Sequence, residues 1–76
     1  MRTELEIYGT NQPYTLVVEP GAQEFRINPG DQCRLVAVHD TEPAAFGLDH
    51  RPEYLVVWIN RGGATFEFWR GNERET

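Results

Sequence analysis

Apolar and polar residues alternate with a period of two along most of this chain. That is the repeat of a strand whose two faces meet different surroundings. In residues 4–8, Leu5 and Ile7 share one face, and Glu4, Glu6 and Tyr8 the other. Residues 14–19 repeat the pattern with Leu16 and Val18 inward, and residues 24–27 with Phe25 and Ile27 inward. Residues 32–39 are apolar on both faces, with Cys33, Leu35 and Ala37 set against Arg34, Val36 and Val38. A strand covered on both sides is central. Residues 46–50 make a shorter strand with Phe46 and Leu48 inward, interrupted by Gly47.

The strongest pattern lies in residues 54–70, where two apolar runs flank Gly62-Gly63. Gly-Gly suits the primed two-residue turn of a tight hairpin. The expected register pairs Ile59 with Phe66 and Val57 with Phe68 on one face. On the other it pairs Trp58 with Glu67 and Val56 with Trp69. Trp58 and Trp69 are then diagonal neighbours, within side-chain reach.

Pro20-Gly21 and Pro29-Gly30 fit the central positions of type II turns, whose twist suits corners better than tight hairpins. Both are therefore expected to carry the chain between sheets. No window combines helical spacing with freedom from Pro and Gly, and turn signals recur about every 8–12 residues. The expected fold is all-β: a small antiparallel β-sandwich or flattened barrel of six or seven short strands, Greek-key or jelly-roll-like. One domain spans residues 1–76, with residues 71–76 a polar, fraying tail. The expected core is Leu5, Ile7, Leu16, Val18, Phe25, Ile27, Leu35, Leu48, Leu55, Val57, Ile59, Phe66 and Phe68.

Composition narrows the function. With 76 residues there is little room for a deep pocket. The net charge of −5 and seven scattered arginines with no lysine argue against a nucleic-acid partner, which needs clustered cations. No apolar run reaches the ~18 residues of a membrane span, and the N-terminal segment lacks the apolar stretch of a signal peptide. One cysteine cannot form an internal disulfide, which favours a reducing, cytoplasmic setting.

Three sets of residues could carry chemistry. The first is a metal set, His39 and His50 with Asp40 and Asp49, since imidazole and carboxylate are metal ligands. The Asn28-Pro29-Gly30-Asp31 corner leading into an apolar strand resembles corners in cupredoxins, which implies a β-sandwich and a copper site. The C-terminal hairpin departs from that family, having no Cys, His or Met. The second is a Cys33–His39 pair. Six residues along one strand separate them by roughly 20 Å, too far for a thiolate–imidazolium nucleophile. With no serine, no Gly-rich phosphate loop and no nucleophile elbow, the chain reads as a non-enzyme without a cofactor.

The third set is aromatic: Trp58, Trp69 and Tyr54, with Glu67 among them, on one hairpin face. Clustered exposed aromatics mark protein interfaces or sugar-stacking platforms. The expectation is a small non-enzymatic interaction or assembly module binding through a β-sheet face, with a protein partner or self-association. Sugar binding on Trp58/Trp69 and metal binding at the histidines are the alternatives.

Overall fold

A computed structural model describes all 76 residues. It is all-β, with eight strands in chain order: β1 (Arg2–Tyr8), β2 (Tyr14–Glu19), β3 (Gln23–Ile27), β4 (Gln32–Val38), β5 (Phe46–His50), β6 (Tyr54–Ile59), β7 (Thr65–Arg70) and β8 (Glu73–Arg74). They form two four-stranded sheets. Sheet A has the order β1-β4-β7-β8 and sheet B the order β3-β2-β6-β5. Sheet A is antiparallel throughout. Sheet B is mixed, because β2 and β6 run parallel at its centre. The sandwich is thus not purely antiparallel. β4 is central as its two apolar faces require, lying between β1 and β7.

The expected 54–70 hairpin does not form. β6 pairs with β2 and β5, β7 pairs with β4 and β8, and the Gly62-Gly63 turn carries the chain from sheet B to sheet A. The backbone explains why. Ala64 N–H donates to Arg61 O at 3.2 Å, and only the second glycine is left-handed, Gly63 at φ 80°. A positive φ at the second central position alone marks a type II turn, whose twist splays flanking strands. The tight two-residue hairpin lies elsewhere. Arg70 pairs with Glu73 across Gly71-Asn72, with positive φ at Gly71, 58°, as a type II′ turn needs. Residues 71–76 thus fold back as an eighth strand instead of fraying.

The two Pro-Gly sites also diverge. Pro20-Gly21 closes the β2–β3 hairpin within sheet B, helped by left-handed Ala22 at φ 53°. Pro29-Gly30 is a true corner between sheets. There Asp31 N–H donates to Asn28 O at 3.0 Å, and Asn28 N–H donates to Asp31 Oδ2 at 2.8 Å.

Inward residues from both sheets meet in one seam, Ile7, Leu16, Val18, Ile27, Cys33, Leu35, Ala37, Leu55, Val57, Ile59 and Phe68, joined by Ala44 from the β4–β5 loop. Leu5, Phe25 and Phe66 pack against it half-buried. Phe25 stacks on Phe68 with ring centres 4.1 Å apart and meets Phe66 edge-on at 6.3 Å. Ile59 and Phe66 therefore both face the core, although from opposite sheets. Leu48 does not join it and is 54% exposed. It sits on β5, the outer strand of sheet B, where its inward face opens onto a cleft instead of sheet A.

Candidate functional site

The predicted aromatic face is divided between the two outer surfaces of the sandwich. Trp69 and Glu67 belong to β7 in sheet A, while Tyr54 and Trp58 belong to β6 in sheet B. The two tryptophans are not neighbours, so a joint Trp58/Trp69 sugar platform does not exist.

On sheet A the outward rows are Glu4–Val36–Glu67 and Glu6–Arg34–Trp69–Arg74. This surface saturates itself. Arg2 donates two hydrogen bonds to Glu67, each 2.9 Å. Trp69 Nε1–H donates to the same carboxylate at 2.9 Å, and Arg74 stands 3.8 Å away. The Arg2 hydrogen bonds, then the indole N–H, hold the Glu67 carboxyl down at about 2, since donors to the ionised form favour it. Arg34 lies over the Trp69 ring, 4.9 Å from its centre, and pairs with Glu4 at 3.4 Å. Beneath this layer Val36 is fully buried. Its burial on the outer face is explained by the long arginine side chains that cover it.

On sheet B the outward rows are Arg26–Thr15–Tyr54, Glu24–Val17–Val56–Asp49 and Glu19–Trp58–Gly47. Here the apolar groups stay open. Tyr54 and Trp58 are each 46% exposed, with half-buried Val56 between them and Val17 alongside. β6 is an interior strand of its sheet, so these side chains form the middle of a face and not its fringe.

The histidines lie at opposite ends of the sandwich. His39 follows β4, and its carbonyl receives the terminal amino group of Met1. Its Nδ1 accepts N–H groups of Thr41 at 3.3 Å and Glu42 at 3.1 Å, which occupies that nitrogen as a loop cap. His50 ends β5 and lines the cleft near Tyr8, at the far end of β1 from Met1. Asp49 points to the other face of β5 and holds Arg51 at 2.9 Å. No three His, Cys, Asp or Glu side chains come together to hold a metal ion, so the fold does not gather His39, His50, Asp40 and Asp49 in one place. Cys33 is buried, and burial pushes its thiol up. It behaves as a small apolar residue, not a thiolate.

Sequence reasoning gave no sign of the cleft between β1 and β5. Its volume is about 550 Å³, and Leu5, Ile7, Tyr8, Leu48, His50 and Leu55 are among its walls. Its only sequence trace is an inward Leu48 on a strand weakened by glycine. Nor did that reasoning place Glu19 opposite Trp58, a pairing set by the parallel β2–β6 register.

No protein-family model matches the sequence, and neither curated proteins nor solved structures yield a match. No helix is long and apolar enough to cross a membrane.

Proposed function

We propose that this chain is a small non-enzymatic interaction module that binds a protein partner through the outer face of sheet B. The observation that carries the reading is the half-exposure of Tyr54 and Trp58 on an interior strand, flanked by Val56 and Val17. Tyrosine and tryptophan dominate binding energy when an interface covers them. An apolar strip rimmed by polar groups marks such interfaces. The opposite surface, around Trp69, has its polar groups satisfied internally and offers a partner little.

Tryptophan fluorescence tests the surface. A Trp69→Phe variant leaves Trp58 as the sole indole. Its emission is expected near that of free tryptophan, with ready quenching by iodide. Blue-shifted emission protected from iodide would remove this face as a binding surface.

A further inference from the structure

The two tryptophans differ in one respect that points to a ligand. In sheet A the residue in register with Trp69 is Arg34, whose guanidinium covers the indole while Glu4 supplies the counter-charge. In sheet B the residue in register with Trp58 is Glu19. One Glu19 oxygen accepts the Ala22 N–H at 2.8 Å, and no arginine pairs with the carboxylate. Guanidinium groups stand over Trp69 and Phe68 and none over Trp58. The arginines nearby are engaged elsewhere: Arg26 with the Thr15 hydroxyl at 3.2 Å, Arg51 with Asp49, and Arg61, beside Trp58 in a shallow recess, with Glu42 at 2.9 Å. Glu24, on the next outward row of this face, also lacks an ion-pair partner. The second surface therefore has the indole and the carboxylate but lacks the cation.

We infer that Trp58 and Glu19 form a receptor for an arginine side chain of a protein partner, seated beside the apolar strip of Val17, Val56 and Tyr54. This rests on the reading above that the outer face of sheet B is the binding surface. The indole face attracts a guanidinium electrostatically and by stacking. The free oxygen of Glu19 accepts one of its N–H groups in a charge-assisted hydrogen bond. The chain's net charge of −5 draws a cationic partner toward the molecule. An arginine flanked by apolar residues satisfies the cation site and the strip together.

The test uses the Trp69→Phe protein and two five-residue peptides, one alternating valine with arginine, the other valine with glutamine. Trp58 fluorescence and backbone NMR shifts along β2 and β6 report binding. The arginine peptide is expected to bind about tenfold more tightly than the glutamine peptide, as two modest cation contacts allow. Glu19→Gln, which keeps an oxygen for the Ala22 N–H, is expected to weaken arginine-peptide binding about threefold. Trp58→Leu is expected to weaken it about tenfold or more, read from the NMR shifts, and circular dichroism checks that both variants stay folded. Equal binding of the two peptides would overturn the receptor and leave the binding surface standing. Binding insensitive to both substitutions, or no binding of either peptide, would overturn it as well. A Trp58 shielded from iodide would remove surface and receptor together.

Discussion

Gly9 is the position where one methyl group should do most damage. It follows β1 and lies against the Pro29-Gly30 corner, and its N–H donates to Asp31 O at 2.8 Å. A Cβ built there would stand 2.1 Å from Asn28 O, and 3.0 Å from both Asn28 C and Asp31 N. Ordinary contact begins at 3.4 Å, so in Gly9→Ala the two backbones must separate by about 1 Å or more. The opposing atoms are main chain and have no rotamer to escape into. A shift of that size breaks the Gly9–Asp31 hydrogen bond, at about 0.5–1.5 kcal/mol. It adds overpacking strain of about 1–3 kcal/mol. The same corner holds Asp31 against Arg70, so displacement also disturbs the β7 end of sheet A. The expected loss is about 2–4 kcal/mol. A domain of this size is stable by about 4–11 kcal/mol in total. Urea unfolding should show a matching fall in midpoint, and the Tm should drop by roughly 10–30 °C. Gly62→Ala is the control. Nothing lies within 4 Å of a Cβ there and its φ is not left-handed, so it should be neutral or stabilising by up to about 1 kcal/mol. A Gly9→Ala protein within about 0.5 kcal/mol of wild type would refute the close approach of β1 to the corner.

Three further outcomes follow from the same geometry. Glu67 has a folded-state pKa of about 2, below its ordinary 4.5. Its contribution is therefore complete above pH 4.5 and lost as pH falls toward 2. The Tm gap between wild type and Glu67→Gln should be open at pH 7 and closed near pH 2, and a gap constant with pH would show that the carboxylate charge contributes nothing. Ala22 is the one non-glycine residue with positive φ, at 53°, so Ala22→Gly should relieve strain and raise stability by about 0.5–1 kcal/mol, seen as a Tm higher by a few degrees. Phe68 is fully buried and stacked on Phe25. Phe68→Ala should cost about 3–5 kcal/mol and leave a protein at the edge of unfolding by circular dichroism at 25 °C, whereas a cooperative transition close to wild type would show that the seam collapses around the gap.

The side to which each strand's residues point was legible in the chain because facing is a local property of period two. Ile59 and Phe66 illustrate both the strength and the limit of that signal. The expected hairpin placed them together on an inner face, and they do point into one core. They do so from opposite sheets, because inward residues of a sandwich converge whether their strands are paired or stacked. Alternation therefore gives parity but not partner. The choice between hairpin and crossover rested on the sign of φ at Gly62, and glycine accepts either sign. Leu48 failed for a related reason. It has the inward parity, but parity does not show that β5 lies at the end of its sheet. β8 carried no signal, since a two-residue strand of Glu and Arg has no period to detect.

The candidate site was half legible for the same physical reason. Tyr54 and Trp58 share an outward face by their spacing alone, and the structure leaves both half-exposed. Trp69 is likewise an outward indole on an alternating strand, yet Arg34 lies over its ring. What separates the two tryptophans is the residue each meets across the sheet. β4 brings Arg34 to Trp69, and β2 brings Glu19 to Trp58. Those neighbours are 35 and 39 positions away along the chain, joined only by long-range register. One register completes a cation–π contact inside the molecule, and the other sets a carboxylate beside an open indole. The difference between a covered indole and an open one therefore lies in strand order, the property that local alternation does not encode.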